Sequence, residues 1–292
     1  MELTAGFEHF VRKDESLAPH TWLRLGGAAE FFAEPTTVDE LSAVVRRCCE
    51  MDVPVRVLGG GSNLLIHDDG VPGMVISLTH PAFSTLQVDG NRLKAGGGAR
   101  LSHAVSTAVG HGLAGLEALA GVPGTIGGAL HGNAGTNGVD IGQSVREATV
   151  MTRAGEIHTR SAQDLQFTYR QSSLDELVIL DAVFELETAD SEELTRRMQK
   201  FWIVQKATQP GGEQRVGFLF VDPPGLAARA LIEQAGLKGT KVGGAEVCGE
   251  HPNFVIATAS ATTSDILRLS ELVQSRVKEV TGVELKRQLT VW

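Results

Sequence analysis

The sequence predicts an α+β fold, with short strands and helices mixed along the chain. Runs of β-branched residues such as Val53 to Val57 show the period of two that is expected of strands. Capping boxes that open at Thr37 and Asp190 predict helices between such strands. Glycine makes up 34 of the 292 residues, well above the roughly 7% of an average protein, so many turns depend on unusual backbone conformations.

Composition and charge exclude several classes of function. The net charge of −9 argues against nucleic acid as a partner, because proteins that bind it carry basic surfaces. No uncharged apolar run approaches the ~18 residues of a membrane helix, and the charged N-terminal residues do not resemble a signal peptide. Three cysteines without a C-x-x-C pair predict neither a disulfide framework nor a metal site. We therefore expect a cytoplasmic protein that contacts no membrane and no nucleic acid. A monomer is also expected, although the composition does not determine the oligomeric state.

The first third of the chain predicts one helix among strands. Thr37 and Glu40 form a capping box, and the helix that follows extends to about Met51. Strands are predicted at 53–57, 64–66 and 73–78. One face of the helix is apolar at the i, i+3, i+4, i+7 spacing, through Leu41, Val44, Val45 and Cys48.

The rest of the chain predicts hairpins followed by longer helices. Asp89-Gly90 is a strong turn signal between two apolar runs. Asp190 and Glu193 open a helix that we interpret as a linker between domains. The last helix has an apolar face formed by Ile266, Leu269, Val273, Val277 and Val280. The predicted elements are hairpins of 86–88 with 92–95 and of 145–151 with 156–160, strands at 177–186 and 254–257, and helices at 101–112, 191–206, 226–235 and 263–280.

The stretch from Val53 to Ile66 predicts a strand, a glycine turn and a second strand. The three glycines at 59–61 allow a backbone to approach a ligand closely, and successive N–H groups can form a nest for an anion. A plain tight turn between two strands explains the same residues equally well. A P-loop is disfavoured because no G-x-x-x-x-G-K-[ST] follows, and a G-x-G-x-x-G fold because the next residues resemble a strand.

A second glycine-dense stretch extends from Gly121 to Gly135. Its glycines follow no repeating period, so low complexity does not explain them. Gly127, Gly128 and Ala129 place small residues where the start of a helix can face an anion or a flat ring. These small residues are therefore a second reason to expect a binding site, here for an anion or a planar ligand.

Several stretches together resemble one family, the UDP-N-acetylenolpyruvoylglucosamine reductases (MurB) of the shorter type II class. Each motif alone is weak, but the ordered set covers nearly the whole chain. The motifs are A-P-H-T-W-L-R-L-G-G (18–27), L-G-G-G-S-N-L-L (58–65), G-V-P-G-T-I-G-G-A-L-H-G-N-A-G (121–135), Y-R-Q-S (169–172), L-I-E-Q-A-G-L-K-G (231–239), E-H-P-N-F-V-I-A (250–257) and G-V-E-L (282–285).

The resemblance implies a two-part FAD-binding region of the vanillyl-alcohol-oxidase or PCMH type, followed by a C-terminal α+β substrate-binding domain. We expect one FAD-binding subdomain at 1–78, a second at 79–190, and the C-terminal domain at 191–292, with a last strand that can return to the first subdomain. The residues expected to hold FAD without a covalent bond are Leu58, Gly59, Gly60, Gly61, Ser62, Asn63, Leu64, Gly121, Val122, Pro123, Thr125, Gly127, Gly128, Ala129 and Asn133.

The resemblance also implies a reaction. In such proteins NADPH reduces the flavin, which passes hydride to the enolpyruvyl double bond of a UDP-sugar in peptidoglycan precursor synthesis. The charge that develops beside the carboxylate needs a cation, and the neighbouring carbon needs a proton. Arg170, in the Y-R-x-S motif, matches the family's cation, and a guanidinium suits a planar carboxylate.

Two other positions depart from the family's pattern. The G-S-x-F-K-N-P motif carries a Ser or Cys proton donor, where this chain has Phe218. The L-x-P-E motif near the C-terminus carries a Glu, where this chain has Gln288. Neither side chain supplies an acidic proton, and the candidates to replace these groups are His131, Cys248 and His251.

Two functions therefore remain open. One is an FAD-dependent, NADPH-using reductase of UDP-N-acetylglucosamine enolpyruvate, slowed because each lost general acid costs ~10²–10⁴ in rate. The other is a flavin-binding protein without catalysis, in a binding or regulatory role. Both predict bound flavin, so turnover with NADPH and the UDP-sugar is the measurement that separates them.

Overall fold

A computed structural model describes residues 2–136, 138–211 and 215–292. The chain divides into two compact units, each assembled from separate segments. No helix of the described ranges is long and apolar enough to cross a membrane. The three continuous domains expected from the sequence stay a prediction. Unit 1 comprises Met1–Asp14, Glu30–Gly60 and Pro72–Gln205, and unit 2 comprises Glu15–Ala29, Gly61–Val71 and Lys206–Trp292.

Helices and short strands alternate along the described chain, as expected for an α+β protein. The helices are α1 (Val38–Glu50), α2 (Leu101–Gly110), α3 (Ile126–His131), α4 (Ser191–Ala207), α5 (Ala228–Gln234) and α6 (Thr263–Thr281). The first strands are β1 (Val11–Ser16), β2 (Ala28–Ala33), β3 (Val55–Leu58), β4 (Leu64–Leu65), β5 (Val71–Ser77), β6 (Leu86–Asp89), β7 (Arg92–Gly96), β8 (Leu113–Ala114), β9 (Gly135–Thr136), β10 (Val139–Asp140), β11 (Val145–Met151) and β12 (Ile157–Ser161). The remaining strands are β13 (Phe167–Thr168), β14 (Gln171–Ser172), β15 (Val178–Glu185), β16 (Glu187–Thr188), β17 (Arg215–Phe218), β18 (Phe220–Val221), β19 (Lys241–Val242), β20 (Ala245–Val247), β21 (Phe254–Ala257), β22 (Lys286–Arg287) and β23 (Thr290–Val291).

A four-stranded sheet of order β1-β2-β5-β3 is covered by α1, and β3 and β5 are parallel. The helix begins where Thr37 Oγ1 accepts the N–H of Glu40 at 3.2 Å. The second half of the predicted capping box is different, because the Glu40 carboxylate accepts from the N–H and the hydroxyl of Thr36. The predicted apolar face is confirmed, since each of its members is fully buried: Leu41, Val44, Val45 and Cys48.

The larger sheet of unit 1 is antiparallel, with strand order β12-β11-β15-β7-β6. Both predicted hairpins lie in it, so the turn signals identified their strands correctly. Helices α2 and α3 pack on this sheet through apolar residues such as Leu101, Ile126 and Phe184. Helix α3 lies within the second glycine-dense stretch, so the middle of that stretch packs on the core of this sheet.

Unit 2 contains an antiparallel sheet of order β17-β21-β20-β19, with α5 and α6 packed in one core. Helix α6 begins at Thr262, which forms a reciprocal capping box with Asp265. Its predicted apolar face is buried at four positions, whereas the fifth member, Val280, is 42% exposed. Strand β23 pairs in parallel with β4, and this brings the end of the chain back to a segment from its first quarter.

Candidate functional site

The first half of the glycine turn lies against the second glycine-dense stretch, within unit 1. A Cβ added to Gly59 would lie 2.9 Å from Thr125 Oγ1, and one added to Gly60 would lie 2.9 Å from the Cα of Gly124. Such contacts are too close for a side chain, so bare backbone is required at Gly60. Because Gly59 and Gly60 are both exposed, these two segments form an open surface of backbone.

The second half of the glycine turn belongs to unit 2. Gly61 has a φ of +63°, and a Cβ there would overlap the carbonyl oxygen of His20, so only glycine fits. Within the part of the chain that the structure describes, the backbone N–H groups of Ser62 and Asn63 donate to no acceptor. A turn of unpaired N–H groups has the chemistry of a phosphate nest.

Burial divides the predicted cofactor residues into three groups. The exposed residues, whose backbone or side chain is open to a ligand, are Gly59, Gly60, Asn63 and Gly128. The half-buried ones are Ser62, Gly121, Val122, Pro123, Thr125 and Gly127. The buried ones, which face the protein interior, are Leu58, Gly61, Leu64, Ala129 and Asn133. The assignment of all these residues to the cofactor stays a prediction.

The start of α3 explains part of the glycine pattern by packing. The N–H of Gly127 donates to the carbonyl of Gly97 at 2.8 Å, and a Cβ on Gly127 would lie 3.1 Å from that oxygen. Thr125 Oγ1 accepts the N–H of Gly128 at 3.4 Å and caps the helix. Gly127 is therefore small so that α3 can approach the sheet, whereas Gly128 stays open. Gly97 was missed from sequence, although it lies in a visible glycine triplet.

Arg170 lies in a two-residue turn between β13 and β14, within unit 1. Its φ is +60°, a left-handed conformation that is uncommon for a residue with a side chain. Its guanidinium lies 5.6 Å from the centroid of the exposed Tyr169 ring. It is half-buried, and among the described residues no carboxylate pairs with it. The cation is therefore available to an anion from outside the chain.

The turn that carries Arg170 is attached to the end of α3. Asn133 Nδ2 donates to the Thr168 carbonyl at 2.8 Å, and Asn133 Oδ1 accepts the N–H of Gly142 at 3.2 Å. Ser172 Oγ donates to the His131 carbonyl at 2.9 Å. The Asn133 amide thus has protein partners at both ends, a contact that the sequence alone did not indicate.

Gln288 is hydrogen-bonded to the residue that follows Phe218, and all three residues lie in unit 2. The N–H of Gln288 donates to the carbonyl of Leu219 at 2.7 Å. The half-buried Phe218 ring meets the Phe254 ring edge-on, with centroids 5.0 Å apart. Gln288 Oε1 is buried and has no hydrogen-bond partner within the described residues. An aromatic ring and an unpaired amide therefore stand where the sequence comparison expected two proton-handling groups.

The three candidate replacement acids have different surroundings. His131 is exposed, and its Nδ1 donates to the Leu174 carbonyl at 3.0 Å. Cys248 is buried, and its Sγ accepts the N–H of His251 at 3.3 Å. His251 Nδ1 is buried without a partner among the described residues. None of the three has a contact that identifies it as an acid.

The carboxyl groups with strongly shifted pKa values have structural roles. A hydrogen bond from His9, with others from Thr36, lowers the pKa of Glu40 to about 2 at the start of α1. Backbone N–H groups of Gly244 and Thr262 lower the pKa of Asp265 to about 2 at the start of α6. Within the described residues, no cluster of three potential ligands could hold a metal ion.

Two models of protein families match this chain, one in its first half and one at its C-terminal end. Residues 29–161 match the model of an FAD binding domain. Residues 209–292 match the model of the C-terminal domain of UDP-N-acetylenolpyruvoylglucosamine reductase. The first match includes the glycine turn and the second glycine-dense stretch, and the second includes Phe218 and Gln288.

Similar proteins of known name cover almost the whole chain. A UDP-N-acetylenolpyruvoylglucosamine reductase of Rhodopirellula baltica is 38% identical over 284 residues, 97% of this chain and 93% of that protein. One of a Bradyrhizobium species is 42% identical over 277 residues, 94% of this chain and 90% of that protein. The crystal structure of the Thermus caldophilus reductase aligns with a TM-score of 0.83 at 34% identity, and covers 97% of this chain and all of that one.

Proposed function

The chain belongs to the UDP-N-acetylenolpyruvoylglucosamine reductase family, and on that premise we propose that it is a flavin-dependent reductase slowed by the loss of its acids. NADPH is the proposed hydride source, and the enolpyruvyl ether of UDP-N-acetylglucosamine is the proposed acceptor. The observation that carries the proposal is the half-buried, unpaired Arg170 on the same unit as the bare backbone of Gly60 and Gly124. A cytoplasmic location and a monomeric state are part of the proposal.

The residues of the glycine turn fit non-covalent FAD. The N–H groups of Ser62 and Asn63 have no acceptor among the described residues, and a pyrophosphate supplies acceptors without needing a basic side chain. The stretch from Gly121 to Thr125 is half-buried, and its two glycines leave backbone open to a flat ring. When bound, the flavin supplies the hydride chemistry, and the chain supplies binding and orientation.

Arg170 has the chemistry to orient the acceptor. A guanidinium forms paired hydrogen bonds with a carboxylate, and it remains charged throughout the neutral pH range. An enolpyruvyl group carries its carboxylate next to the double bond that is reduced. Arg170 would therefore hold that group and stabilise the negative charge that develops beside it.

The proposed slow rate follows from Phe218 and Gln288. A phenyl ring has no exchangeable proton, and a carboxamide donates hydrogen bonds but is not an acid. One missing general acid costs ~10²–10⁴ in rate, and the effects of two groups that act together are not additive. We expect that the proton transfer to carbon that completes the product would limit turnover.

A second candidate is a flavin-binding protein without turnover. The observation that favours it is the edge-on contact of Phe218 with Phe254, which gives Phe218 a packing role in place of a chemical one. In that case the sugar nucleotide or the flavin is a ligand of a binding or regulatory protein.

Three measurements on the purified chain test the proposal. The protein should be yellow because FAD copurifies with it, or added FAD should raise the unfolding temperature of the protein. NADPH should bleach the flavin, and UDP-N-acetylglucosamine enolpyruvate should restore its colour slowly while UDP-N-acetylmuramate forms. Flavin that bleaches and never recovers with the sugar nucleotide supports the second candidate. A colourless protein that FAD does not stabilise refutes both.

A further inference from the structure

The strained turn at Arg170 needs a structural explanation. Thr168 pairs with Gln171, which leaves Tyr169 and Arg170 as a two-residue turn. Only the second of these has a positive φ, at +60°. A turn with that pattern favours glycine at the second position, and two-residue hairpins normally prefer the mirror-image types. The hairpin therefore has an arginine at a position where glycine would adopt the positive φ with less conformational strain.

Such strain persists only where surrounding contacts determine the conformation. The contacts come from both ends of the hairpin. The ring of Phe167 packs so closely on Gly142 that a Cβ on that glycine would overlap it. At the other end, Ser172 Oγ bonds to the His131 carbonyl at 2.9 Å and also accepts the N–H of Leu174 at 3.3 Å.

Asn133 joins these contacts. It is 1% exposed and itself has a positive φ of +40°. Its Nδ2 holds the Thr168 carbonyl directly before the turn, and its Oδ1 holds the N–H of Gly142, on which Phe167 packs. One buried amide thus fixes both the strand that enters the turn and the segment beneath it.

We infer that Asn133 is a positioning residue for Arg170, because it holds the hairpin in the strained conformation that aims the guanidinium at an incoming carboxylate. The inference rests on the proposed function for the identity of that carboxylate. A guanidinium that is already oriented loses less side-chain entropy when it binds, so affinity for a carboxylate is higher. Asn133 thereby acts on the ligand through Arg170 and not by touching it.

The first experiment measures binding on the FAD-loaded chain. Affinities are compared for UDP-N-acetylglucosamine enolpyruvate and for UDP-N-acetylglucosamine, which lacks the carboxylate. We expect the parent to prefer the carboxylate form, Arg170→Ala to lose that preference, and Asn133→Ala to reduce it about tenfold, equivalent to about 1.4 kcal/mol. Asn133→Asp keeps the acceptor for Gly142 and loses the donor to Thr168, so it serves as a second variant if Asn133→Ala does not fold.

The expected pattern has a matched control. Asn91→Ala removes an exposed amide in another hairpin turn, and the preference should not change. If Arg170→Ala loses the preference and both Asn133 variants keep it, the inference is overturned while the proposed function stands. If the parent itself shows no preference, the proposed function fails, and the stability experiment decides the role of Asn133.

The stability experiment needs neither flavin chemistry nor ligand. Arg170→Gly removes the strain at the positive φ, so it should raise the unfolding midpoint of the parent. In the Asn133→Asp background the hairpin can relax, so the same change should raise the midpoint less. An equal rise in both backgrounds shows that Asn133 does not hold the strained turn, and it overturns the inference.

Discussion

Removal of the Asn253 side chain should cost more stability than any surface substitution in unit 2. Asn253 is 4% exposed, its Oδ1 accepts the N–H of Phe220 at 3.0 Å, and its Nδ2 donates to the Phe220 carbonyl at 2.8 Å. In Asn253→Ala, both backbone groups of Phe220 lose their partners in a buried place. Each such loss costs about 1–3 kcal/mol, so we expect a decrease of about 2–5 kcal/mol in the free energy of unfolding.

Urea unfolding followed by circular dichroism measures this difference. Asn91→Ala is the matched control, since Asn91 is exposed in a hairpin turn and its loss should change the free energy by less than about 0.5 kcal/mol. Asn253→Asp should also be tolerated poorly, because a carboxylate would face the Phe220 carbonyl in place of a donor. A decrease below about 1 kcal/mol for Asn253→Ala would refute the reasoning that this amide satisfies two buried backbone groups of Phe220.

The remaining predictions concern the acids, a helix cap and the glycine turn. Phe218→Ser with Gln288→Glu should raise the turnover rate by at least ~10²-fold in the NADPH assay, and an unchanged rate would contradict the proposed cause of slow turnover. Asp265→Asn should lower the free energy of unfolding by about 2 kcal/mol near neutral pH. Because folding depresses the pKa of Asp265 to about 2, the deficit should shrink as pH falls from about 4 to 2, and a deficit independent of pH would be inconsistent with that origin. Gly60→Ala should weaken FAD binding about tenfold or more through overpacking, whereas Gly110→Ala, with open space around it, should not.

Except for α3, the described helices were predictable from sequence because their signals are local. A cap residue and the 3.6-residue period determine where a helix begins and which face is buried, as at Thr37 and Val273. Val280 shows the limit of this reasoning. It continues the period by one step, but burial also requires a neighbouring element, and α6 ends at Thr281, next to it. Periodicity predicts a face and not the extent of the surface that covers it.

The candidate site was predictable in its segments and not in its contacts. Glycine turns are visible in the sequence, so Gly60 and Gly128 were both identified as candidates. The partner of each glycine is far away in the chain: Gly60 faces Gly124, and Gly127 faces Gly97. Such pairs depend on the tertiary fold, and a single sequence contains no periodic signal for them.

The two proposed losses of an acid, at Phe218 and Gln288, are not equivalent. Gln288 has nearly the volume of the Glu that it replaces, and its Oε1 is already buried without a partner among the described residues. A carboxyl in that place would have a raised pKa, because burial disfavours its charged form, and a protonated carboxyl is a suitable acid. Phe218 is different, because its ring fills space beside Phe254, and a serine there leaves a gap that water can enter. Water is a weaker acid than a positioned carboxyl, so Gln288→Glu alone should recover more of the rate than Phe218→Ser alone. The opposite order would mean that the aromatic ring of Phe218 obstructs the substrate.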